Sequence, residues 1–258
     1  MTSVPGIQRV EHVMGMPIVV DVRDEGNVAA AVDRAFAWFR EVDTRFSTYK
    51  ADSEISRLNR GVLALEDAHP DVRSILERCE ALRDETAGFF DASTVRGDLD
   101  PSGLVKGWSV DRAGEILEEA GIRNYAVNAG GDVRLRGRAV PDLTWTVGIQ
   151  HPVRRDRLAA VIEGVALGIA TSGAYARGDH VVDPHTGRPP EAVLSVTVVG
   201  RELATADAYA TSAFAMGERG PAWTARLNGY EAMTILADGR VLKTVGFPAH
   251  DSAGARAA

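Results

Sequence analysis

The chain has 258 residues, of which 45% are hydrophobic and 25% are charged, and its formal net charge is −7. These values are ordinary for a globular protein and provide enough apolar residues for one large domain or two small ones. The acidic balance argues against a nucleic-acid-binding protein, which usually carries a basic face. The single cysteine, Cys79, excludes an intramolecular disulfide and a CxxC metal site, and its place in a helical pattern predicts a packed, inert thiol.

The two ends of the chain carry weak signals. The first twenty residues lack the basic start and apolar run of a secretory signal, and no stretch is long enough to span a membrane. We therefore expect a cytoplasmic protein with no membrane segment. One domain is expected over residues 1–248, followed by a disordered tail over residues 249–258.

Hydrophobic spacing, capping residues and turn residues predict a mixture of helices and strands. Gly88 and Gly121 are expected to end two of the helices. The mixture is typical of an α+β fold, with antiparallel sheet signals in the second half. In chain order, the predicted elements are a strand at 17–22, helices at 27–42, 52–59, 72–86 and 109–120, strands at 125–127, 145–149, 159–165 and 195–199, helices at 206–216 and 221–227, and a strand at 232–236.

The segment ATADAYATSAFAMG, residues 204–217, is the most informative part of the chain. It places Asp207 and Thr211 four residues apart in a predicted helix, so that both side chains lie on one face. A carboxylate and a hydroxyl on adjacent turns can both bind one hard cation such as Mg²⁺. An aspartate near a helix start is also a common cap, and a threonine on an alanine-rich helix is often simply packed.

A second candidate is LDPSGLVKGWSVDRAGEIL, residues 99–117, where a glycine-bearing loop is expected to enter a helix. Backbone N–H groups, the positive helix end and the ammonium of Lys106 would together form a phosphate cradle. The spacing differs from a Walker A motif. An ordinary cap and turn explains the same residues equally well.

Three further motifs flank these segments. In GFFDAS, Phe89 and Phe90 could contact a planar ring, although adjacent aromatic residues are more often part of a core. The Gly pair in VNAGGDV, residues 127–133, permits close backbone approach to a ligand or a strand. ATSGAY, residues 170–175, is predicted to be a small polar turn whose hydroxyls either donate to phosphate or close the turn. His180, which follows it, is a candidate general base.

These motifs, in their order along the chain, resemble the ApbE family. The resemblance runs from about residue 14 to about residue 217 and is strongest in the pair HVVDPHTGRP and ATADAYATSAFAMG. Members of that family are FAD:protein FMN transferases. The resemblance implies an α+β, T-fold-like arrangement of mixed sheets packed with helices in a single compact catalytic unit, FAD as substrate, and Mg²⁺. The implied reaction cleaves the FAD pyrophosphate, transfers FMN to a Thr or Ser hydroxyl of a target flavoprotein, and releases AMP.

The resemblance also assigns roles to residues. His180 corresponds to the family's histidine, and residues 171–173 are placed near the pyrophosphate. The implied metal ligands are Asp207, Thr211 and the backbone carbonyl of Gly103. The implied FAD contacts are Met14, Tyr49, Phe89, Phe90, Asp91, Asp100, Lys106 and the backbone near Val181.

Some positions depart from the family pattern, and two other functions use the same residues. Met16 stands where the family commonly has threonine, and Ala210 stands where some relatives have an acidic residue. An FAD pyrophosphatase, which forms FMN and AMP with water as the acceptor, would need the same metal and phosphate residues. A non-enzymatic flavin-binding protein would need neither the Asp207 and Thr211 pair nor His180, so their joint presence argues against it.

Overall fold

An eight-stranded antiparallel sheet forms the centre of the protein in the computed structural model, which describes residues 6–94, 97–174 and 181–250. Its strand order is β1-β2-β3-β4-β7-β8-β9-β10, and a second sheet has the order β11-β6-β5. The strands are β1 Ile7–Val13, β2 Met16–Val22, β3 Tyr125–Ala129, β4 Asp132–Arg136, β5 Trp145–Gln150, β6 Leu158–Gly164, β7 Ala166–Gly173, β8 Val193–Gly200, β9 Tyr230–Leu236, β10 Val241–Lys243 and β11 Ala249–His250.

Helices cover one face of the large sheet, and the small sheet packs on the other face. No helix in the described part of the chain is both long enough and apolar enough to cross a bilayer. The layered arrangement confirms the predicted α+β fold. The helices are α1 Ala29–Phe46, α2 Glu54–Asn59, α3 Pro70–Glu85, α4 Ser102–Glu119, α5 Leu203–Ala215 and α6 Gly220–Thr224, with 3₁₀ turns at Leu65–Asp67 and Gly217–Arg219.

The first hairpin holds Met14 in an unusual backbone conformation. Val13 pairs with Met16, so the connection between β1 and β2 has only two residues. Met14 has φ +56° and Gly15 has φ +72°, which is the pattern of a tight hairpin turn. A bulky residue with positive φ costs about 1–3 kcal/mol and persists only where its surroundings fix it. The Met14 side chain is half-buried against the helical core.

The predicted start of the helix at residue 109 is wrong, because α4 begins at Ser102. Gly103 and Gly107 lower the intrinsic helix propensity of this stretch, which favoured a loop on local grounds. Tertiary packing overrides that preference, because a Cβ at Gly107 would lie 2.7 Å from the backbone oxygen of Leu203 in α5. Lys106 therefore lies on a helix and not at the end of a loop.

The polar turn predicted at residues 170–175 is also wrong, because residues 170–173 belong to β7. The Thr171 hydroxyl lies 2.9 Å from that of Thr197 on the neighbouring strand β8. Near the chain end, Ala249 and His250 pair with β6 as β11, two residues into the predicted tail. Residues 251–258 lie outside the described residues.

The prediction of an inert Cys79 leads to a direct chemical test. Cys79 is buried in the helical core, and burial raises the pKa of its thiol to about 12. The thiol therefore stays protonated at pH 8 in the folded protein, whereas an unfolded cysteine has a pKa of about 8.5. We expect a disulfide reagent to label Cys79 at pH 8 only after unfolding in guanidinium. Stoichiometric labelling of the folded protein would contradict this prediction.

Candidate active site

The centre of the candidate site is an ammonium group between two buried carboxylates. Lys106 Nζ on α4 lies 2.6 Å from Asp132 Oδ2, at the start of β4, and 3.4 Å from Asp207 Oδ1 on α5. Asp132 and Asp207 are only 1% and 2% exposed. The site thus forms where two helices and one strand converge, and it includes Asp132, which the sequence analysis did not select.

The electrostatics of this cluster favour a further positive charge. Asp207 Oδ2 accepts a hydrogen bond from Gly107 N at 3.2 Å. Burial raises the pKa of Asp207 to about 7, with Lys106 opposing the shift and Asp132 adding to it. When both carboxylates are ionised, they share the single ammonium of Lys106 and leave one net negative charge in a buried place. A cation bound beside Asp207 would relieve that cost.

Hydroxyl groups extend the polar cluster along α5 and β7. Thr211 lies one helical turn after Asp207, and its Oγ1 is 3.1 Å from Ser172 Oγ. The backbone N–H of Thr171 donates to Asp132 Oδ1 at 3.1 Å. The strand end that the sequence suggested was a turn therefore still brings a hydroxyl to Thr211.

Gly103 lies between Phe90 and Thr211 in the first turn of α4. A Cβ at Gly103 would lie 3.3 Å from the Phe90 ring and 4.0 Å from the Thr211 methyl carbon, so a larger residue would be crowded. Gly107 N, which donates to Asp207, is the amide that an α-helix pairs with the Gly103 carbonyl. These contacts place the parts of α4 and α5 that carry the three predicted metal ligands, Gly103, Asp207 and Thr211, next to one another.

The donor set is mixed and not a carboxylate cluster. Within residues 6–94, 97–174 and 181–250, no group of three or more His, Cys, Asp or Glu side chains is arranged to hold a metal ion. A cation next to Asp207 would therefore need hydroxyl and carbonyl oxygens as well. Such all-oxygen sets suit Mg²⁺, which usually keeps several waters and few carboxylates.

The three predicted aromatic contacts differ in burial. Phe90 is 3% exposed and belongs to the helical core, in agreement with the alternative that adjacent aromatic residues are packed. Phe89 is 9% exposed and packs with Ala215 and Met216, and its ring centroid lies 4.5 Å from that of His185 and 4.6 Å from the guanidinium carbon of Arg219. Tyr49 is 98% exposed, so its ring extends into solvent.

The two predicted acidic contacts each satisfy local backbone groups. Asp91 accepts a hydrogen bond from Ser93 N at 2.8 Å, and Asp100 accepts one from Ser102 N at 3.1 Å, at the start of α4. Asp100 N donates to Ala92 O at 2.6 Å, so the two loops run side by side. Both carboxylates therefore lie near the first turn of α4.

His180 lies outside the described residues. The residues that follow it pack near Phe89 and the end of α3. Val181 packs against the small cluster that contains Phe89. His185, which the sequence analysis missed, places Nδ1 3.0 Å from Asp183 Oδ1 and Nε2 3.1 Å from Ala87 O. This contact fastens the segment after His180 to the end of α3. The sequence signal for Asp132 is its place directly after the Gly pair of VNAGGDV.

The chain is similar in sequence and in fold to proteins of known structure or name. The family model described as "ApbE family" matches residues 14–97 and 95–234, which contain every residue of the candidate site that the structure describes. A Vibrio cholerae protein named FAD:protein FMN transferase is 29% identical over 275 residues, covering 83% of this chain and 81% of that protein. An Escherichia coli K12 protein of the same name is 33% identical over 156 residues, covering 57% and 44%. The solved structure titled Flavin Transferase ApbE from Vibrio cholerae matches with a TM-score of 0.82 and 26% identity, over 93% of this chain and 97% of that chain.

Proposed function

We propose that this chain, which belongs to the ApbE family, is an FAD:protein FMN transferase, the activity for which its relatives are named. The family membership confirms the resemblance seen in the ordered motifs. In detail, we propose Mg²⁺-dependent cleavage of the FAD pyrophosphate, transfer of FMN to a Thr or Ser hydroxyl of a target flavoprotein, and release of AMP. The observation that supports this proposal is the buried cluster of Lys106, Asp132 and Asp207 beside the Thr211 hydroxyl.

The residues of the cluster match the needs of phosphoryl transfer, which are charge neutralisation and positioning. Asp207, Thr211 and the Gly103 carbonyl would hold Mg²⁺, which, when bound, neutralises charge on the pyrophosphate oxygens. Ionisation of both Asp132 and Asp207 would leave one net negative charge beside all-oxygen donors, and this combination fits that ion.

Lys106 and Asp132 would act on the phosphates as a pair. The ammonium of Lys106 adds a point charge to a pyrophosphate oxygen. Asp132 accepts a hydrogen bond from the amide of Thr171 and holds the Lys106 ammonium in position for FAD binding. Preorganised charge of this kind costs no reorganisation at the moment of reaction.

We propose further flavin and adenosine contacts outside this cluster. The Phe89 ring is 9% exposed and lies against His185, and Tyr49 is 98% exposed, so FAD could cover its ring. Burial of such a ring against an aromatic ligand favours binding and slows release. Asp91, Asp100, Met14 and the backbone near Val181 complete the proposed FAD contacts.

Mass spectrometry tests the proposed reaction directly. The protein is incubated with FAD, Mg²⁺ and an acceptor domain that carries a flavinylatable threonine, with the Thr→Val acceptor as the control. We expect the acceptor to gain the mass of one FMN less one water, and AMP to appear in equal amount. AMP and free FMN with no adduct would instead identify a pyrophosphatase, and unchanged FAD would contradict both activities.

We propose His180 as the general base that takes the proton from the acceptor hydroxyl. Since general bases contribute about 10²–10⁴-fold, His180→Ala should slow FMN transfer by that factor. FAD affinity, measured by quenching of flavin fluorescence, should change little. Single-turnover rates with saturating FAD separate the two effects. A large loss of FAD affinity with normal turnover of bound FAD would make His180 a binding residue instead.

A further inference from the structure

A carboxylate on α4 caps the helix that carries Asp207 and Thr211. Asp111 Oδ1 accepts a hydrogen bond from Leu203 N at 3.2 Å, and Asp111 Oδ2 accepts one from Ala204 N at 2.8 Å. These are the first two amides of α5, which have no acceptor within a helix. The N-cap residue of α5, Glu202, makes no side-chain capping bond of its own. Asp111 therefore supplies the cap from a neighbouring helix, at the helix end where a negative charge is favoured.

The same carboxylate is tied to the large sheet. Arg134 on β4 donates from Nη1 to Asp111 Oδ1 at 2.5 Å and from Nε to the Tyr125 hydroxyl oxygen at 3.1 Å. The Tyr125 hydroxyl in turn donates to Glu118 Oε1 at 2.7 Å. Because Arg134 and Asp132 are two residues apart on one strand, they project from the same face. Two ion pairs of opposite sense, Lys106 with Asp132 and Asp111 with Arg134, thus join α4 to β4.

The start of α5 is also enclosed by glycines on both sides. A Cβ at Gly107, one turn before Asp111 on α4, would lie 2.7 Å from Leu203 O. A Cβ at Gly168 on β7 would lie 2.7 Å from Leu203 N. Backbone surfaces therefore touch on each side of this turn, and Asp111 makes the polar contacts that fix it between them.

We propose that Asp111 is a positioning residue of the transfer site. By fixing the first turn of α5 against α4 and β4, it sets the position of Asp207, four residues after Leu203, relative to Lys106. The proposal rests on the proposed function for the reaction that it affects. The arrangement of the cation-binding residues can be measured without turnover, as the affinity of the protein for a metal ion.

The variant Asp111→Asn tests this claim, with Glu118→Gln as the matched control. The asparagine keeps the shape of the side chain but cannot accept from both amides and from Arg134. Glu118→Gln alters the far end of the same polar network, at a residue that makes no contact with α5 among the described hydrogen bonds. The probe is Mn²⁺ alone, titrated by calorimetry into each protein without FAD, followed by the Mg²⁺ dependence of FMN transfer.

We expect Asp111→Asn to weaken Mn²⁺ binding by about 10–100-fold, as is usual for residues that orient metal ligands. The Mg²⁺ concentration for half-maximal transfer should rise by a similar factor, while the KM for FAD stays within about twofold of the parent because Asp111 is not an FAD contact. Glu118→Gln should leave all three values unchanged. Unchanged Mn²⁺ affinity and Mg²⁺ dependence in Asp111→Asn would overturn the proposal, even if the variant melts at a lower temperature.

Three further results keep the test decisive. If Asp111→Asn does not fold, Arg134→Lys loosens the same carboxylate more gently and should give a smaller loss of Mn²⁺ affinity; no loss in that variant overturns the proposal. If the parent protein shows no FMN transfer but Asp111→Asn still weakens Mn²⁺ binding, the proposed function fails and the positioning role stands. A parent protein that binds no Mn²⁺ overturns the positioning role.

Discussion

Asp207→Asn is expected to lower the rate of FMN transfer by about 10³-fold or more, because the loss of a metal ligand removes several kcal/mol of transition-state stabilisation. The asparagine has nearly the same shape, and its amide oxygen can still accept the hydrogen bond from Gly107 N. It removes the ionised oxygen that we propose as a Mg²⁺ ligand. FAD affinity should change little, since the proposed flavin contacts lie on other segments.

Two neighbouring substitutions on α5 provide the controls for this result. Thr211→Val exchanges the proposed hydroxyl ligand for a methyl group and should give a smaller loss that additional Mg²⁺ partly restores. Ser212→Ala removes the next hydroxyl, which donates to Ala208 O within the helix and does not contact the cluster. It should transfer FMN at nearly the parental rate. Full activity of Asp207→Asn in Mg²⁺ would exclude Asp207 as a metal ligand.

The parts of the site that could be predicted from the sequence are those fixed by local geometry. Asp207 and Thr211 are four residues apart on a regular helix, so their shared face follows from helix periodicity alone. Asp132 and Asp111 have partners far away in the chain, and nothing in their local spacing indicates those partners. For Asp111 there was nevertheless a signal, since an aspartate in a helix interior is unfavourable unless its side chain has a partner.

The strands that the sequence analysis missed show the same limit. The sequence of β1, IQRVEHV, lacks a regular alternation of apolar and polar residues, and Arg9 and Glu11 form ion pairs with α1 that no local pattern reveals. In β7 the small polar side chains indicated a turn, but the hydroxyl of Thr171 meets that of Thr197 across the sheet. In both strands, pairing with distant residues outweighs the weak local preference.

The close approach of α4 and α5 can be tested at a single methyl group. In an isolated helix, Gly107→Ala should be stabilising by about 0.5–1 kcal/mol, because alanine is the better helix former. In this protein the added Cβ would lie 2.7 Å from Leu203 O and 2.8 Å from Ala204 Cα, so the two helices must separate. We therefore expect the opposite sign, a loss of about 1–3 kcal/mol in the free energy of unfolding, which is the usual cost of overpacking.

Chemical denaturation measures the sign of this change in the free energy of unfolding. The control is Glu115→Ala, at an exposed position on α4, which should change the free energy of unfolding by no more than about 0.5 kcal/mol. The same separation should also lower FMN transfer under conditions where Gly107→Ala is fully folded. The amide of Gly107 donates to Asp207, and Lys106 precedes it on the helix, so a shift of α4 displaces both groups together. A Gly107→Ala protein that is more stable than the parent and fully active would show that the position of Asp207 does not depend on this contact.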